Sequence, residues 1–349
     1  MARALPAEVR SREGARRTVR LRPMPVRVFT TYPLPPQARA VLRGVTVRTY
    51  RGPQPIPRAA LARGLRDADG LLCLLTERID AELLAAAPRL RAVANCAVGY
   101  DNIDVTAAAA RAVVVTNTPD VLTETSADLA WALLLAAARR IAEGDRLVRG
   151  GGWAGWSPDL LLGTDVHGAT LGIVGLGRIG AAVARRARGF GMRVLYTQRQ
   201  RLRRPPAGAR FASLRRLLAQ ADFVSLHVPF TPATRHLIGA PELAHMKRTA
   251  ILVNTSRGPV VDERALVRAL ASGRIAAAGL DVYEREPEVP AGLRALPNLV
   301  MTPHIASATT QTRRRMAVLA ATNLAAALAG REPLNRVPAR TTAPRPVKA

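Results

Sequence analysis

The stretch Leu171–Tyr196 narrows the possible folds more than any other. An apolar strand, Leu171–Val174, runs into Gly175-Leu-Gly177-Arg-Ile-Gly180, followed by a helix from Ala181 to Phe190 and a second strand, Met192–Tyr196. Strand, glycine turn, helix and strand at this spacing form a βαβ unit of a parallel sheet. Each glycine has its own task. Gly175 permits the tight turn, Gly177 lets the backbone approach a pyrophosphate, and Gly180 lets helix and strand pack closely. The helix start then offers unpaired N–H groups and a partial positive charge to an anion. These residues predict an α/β fold with a dinucleotide pocket.

The end of the second strand bears on which dinucleotide. NAD-specific pockets place Asp or Glu ~20 residues on, to accept from the ribose hydroxyls. Here Gln198 holds that place, and the sequence has no acidic residue between Asp165 and Asp222. Arg199, Arg201, Arg203 and Arg204 follow instead. A carboxylate repels a 2′-phosphate, whereas Arg holds it through paired, charge-assisted hydrogen bonds. NADP(H) is favoured on this ground, and NAD(H) stays open.

Strand-like and helical runs alternate along the rest of the chain, which predicts parallel sheets. Val26–Thr30, Val45–Tyr50, Gly70–Leu75, Leu90–Ala97 and Val113–Asn117 read as strands. Ser126–Val148 reads as one long helix with Thr123, Thr125 and Ser126 as capping candidates, closing at Gly150-Gly-Gly152. Its centre, Leu129–Leu135, is apolar on more than one face, which suits a core or a subunit interface. The last helix, Thr309–Leu328, is free to return to the first unit. Beyond Gly330 the chain reads as pattern-free, and residues 334–349 as a disordered tail.

At 349 residues and 48% hydrophobic, the chain can fill two ordinary cores. Its longest apolar run, Leu129–Ala138, stops at Arg139-Arg140, short of the ~18–20 residues of a membrane helix. Cys73 and Cys96 belong to no CxxC pair, so no metal site is expected and the protein reads as reduced and cytoplasmic. The first 23 residues hold seven Arg and two Glu without an apolar stretch, which excludes a secretory signal. Residues 1–24 read as a disordered basic arm, either a targeting segment or an over-long start before Met24. The formal charge of +27 suggests nucleic acid, but only Lys247 and Lys348 are Lys and no aromatics interleave with the arginines. That skew fits coding bias, so specific nucleic-acid binding is not expected.

Three further segments carry the chemistry: Asn254-Thr-Ser-Arg257-Gly258, Gly279–Pro287 with Asp281 and Glu286, and Thr302-Pro-His304-Ile305. Each follows an apolar strand-like run, and ligands of open α/β sheets bind at the carboxyl ends of strands. An arginine, a carboxylate and a histidine thereby meet at one edge. Reduction of a 2-oxo acid needs those types. Negative charge develops on the carbonyl oxygen, and histidine supplies a proton near neutral pH. A carboxylate on its other nitrogen fixes the ring and favours the charged form. Arginine holds the substrate carboxylate and polarises the carbonyl. His167, His227, His236 and His245 are read as structural or surface residues.

These residues, with Val98-Gly-Tyr-Asp-Asn-Ile-Asp104, Asn117–Thr125, His227-Val-Pro229 and Pro303-His-Ile305, resemble the D-isomer-specific 2-hydroxyacid dehydrogenases. Within that family the chain is most similar to the glyoxylate/hydroxypyruvate reductases, from about Asp69 to Leu328. The resemblance implies two Rossmann-like domains with the active site in the cleft between them. Residues 25–118 plus 306–333 would form the substrate domain and 119–305 the NAD(P)-binding domain. Arg257, Glu286 and His304 fall on the family's catalytic residues, and Asp281 on the acidic residue beside the nicotinamide amide. Leu75, Val98 and Gly99 match the loops whose N–H groups receive the substrate carboxylate. Arg178, Ile179, Val228, Pro229, Thr255 and Ser256 match cofactor contacts. The 126–156 helix and loop match a homodimer interface, across which Trp156 reaches the partner's active site.

Ala306 departs from the family, which usually has Gly there. The absence of a regulatory domain after Leu328 speaks against an allosteric phosphoglycerate dehydrogenase. Two other readings stay open: a reductase for a bulkier 2-oxo acid such as 2-ketogluconate, and a dinucleotide-sensing corepressor.

Overall fold

Apolar runs bounded by turn residues build two parallel sheets. The computed structural model describes residues 25–206 and 208–339, so the arm, 1–24, and the chain from 340 onward lie outside it. The first sheet contains β1 (Arg27–Thr30), β2 (Thr46–Thr49), β3 (Gly70–Cys73), β4 (Ala92–Asn95) and β5 (Val114–Thr116), in the order β2-β1-β3-β4-β5. The second contains β6 (Thr170–Val174), β7 (Arg193–Thr197), β8 (Ala209–Phe211), β9 (Phe223–Leu226), β10 (Ile251–Asn254), β11 (Ala277–Leu280) and β12 (Leu299–Met301). Its order is β12-β11-β10-β9-β6-β7-β8. All strand pairs are parallel. β3, β4, β6, β9, β10 and β11 are buried along their whole length, which is why they read as continuous apolar runs rather than alternating ones.

The second sheet reverses its winding between β6 and β9. Ligands of doubly wound sheets bind outside the carboxyl ends at such a switch point. The glycine turn leaves β6 there, and the Arg257, Asp281 and His304 loops leave β10, β11 and β12 on the same edge.

The last helix, Thr310–Leu328, packs on β3, β4 and the helix Pro36–Val41, burying Met316, Ala320 and Leu324 at helical spacing. It therefore closes the first lobe from the far end of the chain. The helix Thr123–Ala138 packs on β10, β11 and the helix Arg178–Ala187 of the second lobe. No helix among the described residues is long and apolar enough to cross a membrane.

Two expectations need correction. The long helix 126–148 is two helices, Thr123–Ala138 and Ile141–Arg149, broken where Arg140 takes φ 52°. A distant segment ends the first one. Thr164 N–H donates to the Ala138 carbonyl at 2.8 Å, and a Cβ on Gly163 would lie 2.4 Å from that oxygen. The proposed side-chain caps do not form either: Leu122 is the N-cap residue, and Thr125 pairs with Thr312 at 2.6 Å. The second correction is the tail. Residues 335–337 pair with β5: Asn117 N–H donates to the Asn335 carbonyl at 3.2 Å and Val337 N–H to the Val115 carbonyl at 2.8 Å. Val337 is buried in the first lobe's core, so order extends past residue 333.

Candidate active site

The glycine turn is shaped as the residues require. Gly175 has φ 96°, and a Cβ there would come within 2.8 Å of the His227 carbonyl oxygen. A Cβ on Gly180 would lie 2.2 Å from the Gly175 carbonyl oxygen, so helix and strand touch at that point. Gly177 is different: a Cβ there meets nothing within 4 Å. It is the N-cap of the helix Arg178–Ala187 and places no side chain over the helix's first N–H groups. Open space beside free N–H groups at a positive helix end suits a pyrophosphate. Thr255 Oγ1 is buried and has no partner among the described residues, a second group free for a ligand. The residues fit a nicotinamide dinucleotide.

Of the other expected cofactor contacts, Ile179 and Val228 are half-buried and Pro229 is exposed. Exposed Arg178 pairs with Asp120 at 2.6 Å. Gln198 sits just past β7 and bonds the Gln200 carbonyl at 2.6 Å, while Arg199 and Arg201 are exposed. Ser256 Oγ donates to Asn254 Oδ1 at 2.8 Å, which shapes the turn leading to Arg257.

That turn aims Arg257 at the first lobe. Arg257 Nε donates to Asp101 Oδ1 at 3.0 Å, and its Nη1 donates to the Ser256 carbonyl at 2.9 Å. A Cβ on Gly99 would lie 1.8 Å from Arg257 Nη2, so any side chain there would displace the guanidinium. The Val98–Asp101 loop is pinned by amides at strand ends. Asn95 Nδ2 donates to the Gly99 carbonyl at 2.8 Å and Asn117 Nδ2 to the Val98 carbonyl at 2.7 Å. Half-buried Leu75 lies in the turn after β3, which buried Glu77 holds by accepting from Leu74 N–H and Thr31 Oγ1.

Glu286 Oε2 faces His304 Nδ1 at 2.7 Å. Glu286 Oε1 accepts from Tyr283 N–H at 3.0 Å. Burial pushes the Glu286 carboxyl up, but the hydrogen bond and charge of His304, together with the charge of Arg257, outweigh it and hold the group below its usual range. All three side chains therefore act on one another. His304 Nε2 has no partner among the described residues, which leaves it available to a substrate. His304 itself sits at φ 54°, a left-handed conformation costly for a side-chain-bearing residue.

Asp281 maintains that conformation, and it is fully buried. Its Oδ1 accepts from Thr302 Oγ1 at 2.6 Å and Ile305 N–H at 2.8 Å, and its Oδ2 from Ala306 N–H at 2.8 Å. Its carbonyl accepts from His304 N–H at 2.8 Å. Burial raises the carboxyl's pKa, against the pull of these donors. Ala306, where the family usually has Gly, is buried on the same carboxylate.

A model of the "D-isomer specific 2-hydroxyacid dehydrogenase, NAD binding domain" matches residues 131–306. A glyoxylate reductase of Korarchaeum cryptofilum is 52% identical over 319 residues, covering 90% of this chain and 96% of the relative. The chain belongs to the D-isomer-specific 2-hydroxyacid dehydrogenases. Among solved structures, a glyoxylate reductase from Paecilomyes thermophila has a TM-score of 0.82 at 36% identity, covering 90% of this chain and 99% of that one. An NADPH-dependent glyoxylate/hydroxypyruvate reductase from Sinorhizobium meliloti, solved with NADP and malonate, has a TM-score of 0.79 at 37% identity, covering 89% and 96%. As a member of this family the protein is an NAD(P)-dependent oxidoreductase.

In this dehydrogenase the remaining histidines stand apart from the Glu286–His304 pair. His227 bonds Ser225 at 2.8 Å, and burial pushes its pKa down to about 4. His245 faces Arg215 at 3.0 Å, and His167 is exposed. His236 does meet a carboxylate, Glu284 at 3.2 Å. Glu284 also accepts from Glu263 N–H at 3.0 Å, while Glu284 N–H donates to Glu263 Oε1 at 2.7 Å. This brace ties the Arg257 and Glu286 loops together. It escaped the sequence reading because its members are far apart in the chain and none carries chemistry of its own. Asp101 lies within Val98–Asp104, a motif that by itself gives the residue no role. Asn95 and Asn117, polar residues at or just past the ends of apolar strands, were the readable signal for the loop between them.

Proposed function

We propose that the protein reduces glyoxylate or hydroxypyruvate to the 2-hydroxy acid, with NADPH preferred over NADH. The reading rests on one observation above all: the Glu286–His304 pair at 2.7 Å and Arg257 against Gly99 converge on the strand edge that carries the glycine turn. Gly175, Gly177, Arg178, Ile179 and Gly180 would hold the pyrophosphate, with Val228, Pro229, Thr255 and Ser256 along the dinucleotide. Gln198, Arg199 and Arg201 lie where a 2′-phosphate would sit, without a carboxylate to repel it. Bound there, the reduced nicotinamide supplies the hydride.

The chain's own groups do the rest. Arg257 Nη2 and the N–H groups of the Leu75 and Val98–Gly99 loops take the substrate carboxylate, which fixes the carbonyl beside His304. His304 Nε2 donates the proton to the carbonyl oxygen as negative charge develops there. Glu286 on Nδ1 keeps the ring oriented and the charged form favoured. The lobe of residues 25–118 plus 306–333 acts as the substrate domain and 119–305 as the cofactor domain, and closure between them excludes water. The relatives' names favour this small acid over a bulkier 2-oxo acid and over a corepressor.

The protein assembles, on this reading, as a homodimer through the 126–156 helix and loop. Ile141, Val148, Trp153 and Trp156 are exposed apolar side chains there, with Trp156 84% exposed. Two buried free thiols, Cys73 and Cys96, fit the cytoplasm. Initial rates on a panel of 2-oxo acids, run with NADPH and with NADH, test the proposal. The highest kcat/KM is expected for glyoxylate or hydroxypyruvate with NADPH. A bulkier acid ranked first, or no turnover at all, would contradict it.

A further inference from the structure

Arg257 commits two of its three guanidinium nitrogens to the protein. Nε donates to Asp101 Oδ1 at 3.0 Å and to Oδ2 at 3.3 Å, and Nη1 donates to the Ser256 carbonyl. Nη2 has no hydrogen-bond partner among the described residues and lies against the Gly99 backbone. With Nε and Nη1 held, the plane of the guanidinium is set and Nη2 is aimed along the Gly99 loop. Asp101 is carried on fixed backbone. Asn95 holds the Gly99 carbonyl, and Asn102 Nδ2 donates to the carbonyls of Leu74 at 3.2 Å and Glu77 at 2.9 Å. The contact spans the two lobes, and the side chains of Arg257 and Asp101 are only 19% and 33% exposed, so water screens it less than an ordinary surface pair.

Each charged side chain of the cleft already has a partner. Arg257 faces Asp101, His304 faces Glu286, and Asp281 is occupied by the His304 loop. A substrate bringing one carboxylate meets Nη2 and backbone N–H groups. A substrate bringing a second acidic group meets two cations that already have partners, together with the charge of Asp101.

We propose that Asp101 is a positioning and selectivity residue, which orients Arg257 for a single carboxylate and repels 2-oxo acids that carry a second negative charge. The inference rests on the 2-oxo acid reading above and adds the substrate's charge class to it. Discrimination by repulsion is as effective as discrimination by added contacts. A unit charge ~6 Å away at an effective dielectric of ~20, trimmed by salt, changes selectivity by about tenfold or more.

The test uses the full chain with NADPH and compares glyoxylate with oxaloacetate in the wild type, Asp101→Ala and Asp101→Asn. Asp101→Ala is expected to raise the glyoxylate KM about tenfold, because the lost orientation of Nη2 outweighs the relieved repulsion, while NADPH affinity stays at the wild-type value. Asp101→Asn keeps an acceptor for Nε, so it recovers most of that KM. It also loses the charge, so the oxaloacetate-to-glyoxylate ratio of kcat/KM rises about tenfold. A wild-type KM in Asp101→Ala, or an unchanged ratio in Asp101→Asn, overturns the proposal. If Asp101→Ala fails to bind NADPH, the Asn variant carries the test alone. Calorimetry of oxamate and malonate on the NADPH-bound chain reads the same selectivity without turnover. There the wild type should prefer oxamate and Asp101→Asn should narrow the gap. A wild type inactive on every acid would sink the reductase reading, and an unchanged oxamate–malonate gap would sink this one.

Discussion

Gly258→Ala is expected to impair catalysis from a position that touches no substrate. A Cβ on Gly258 would lie 1.9 Å from both the carbonyl carbon and oxygen of Tyr283, and 2.4 Å from Glu284 N. These are backbone atoms and cannot rotate away. Ordinary contact begins at 3.4 Å, so the loop carrying Arg257 and the loop carrying Glu286 must part by roughly 1.5 Å. Overpacking of this kind costs ~1–3 kcal/mol of stability. A catalytic group displaced by ~1 Å loses about a hundredfold in rate. The expected result is a kcat/KM for glyoxylate down about a hundredfold, with a lower urea midpoint. NADPH affinity should fall far less than kcat/KM, because the Gly175–Gly180 turn is not disturbed and only Thr255 and Ser256 lie on the displaced loop. Initial rates followed at the reduced-nicotinamide absorbance, with NADPH binding followed by fluorescence, separate the two effects. Wild-type kcat/KM at wild-type stability would refute the idea that this close approach sets Arg257 relative to Glu286.

Gly177→Ala should do the reverse: its methyl meets no protein atom within 4 Å, so stability stays and NADPH affinity falls; undiminished affinity would remove the pyrophosphate from that space. Arg199→Ala combined with Arg201→Ala should weaken NADPH far more than NADH in paired titrations, and equal losses would end the 2′-phosphate reading. Glu286, held below the usual carboxylate range, contributes stability that is present at neutral pH and lost as pH falls through its depressed value. Urea midpoints of wild type and Glu286→Gln should therefore converge as pH falls through and below the ordinary carboxylate range, and a constant difference would contradict the coupling to His304.

The legible parts of this protein were those where one residue type has one physical reason to be there. The turn after β6 is an example: Gly175 has φ 96°, and a Cβ on Gly180 would lie only 2.2 Å from the Gly175 carbonyl oxygen. Arg257, Glu286 and His304 were legible because each lies in the loop that follows an apolar strand and is a group that proton transfer or anion binding requires. What stayed hidden depended on contacts between distant segments. Nothing within 126–148 ends the helix at Ala138; Gly163 and Thr164 do, by covering and bonding its carbonyl. The surroundings of Asp281 were hidden in the same way. Only the fold shows its carboxylate enclosed by Thr302, Ile305 and Ala306. Residues 335–337 carry too weak a pattern to be seen as a strand, and they pair only because β5 leaves an edge open.

The rate of NADPH consumption with glyoxylate, compared between wild type and His304→Ala at equal cofactor occupancy, tests the central claim most directly. The imidazole held by Glu286 should account for most of the turnover, so the variant should bind NADPH normally and lose about a hundredfold or more in kcat. A variant that binds NADPH and turns over at the wild-type rate would place the proton donor elsewhere and contradict the account.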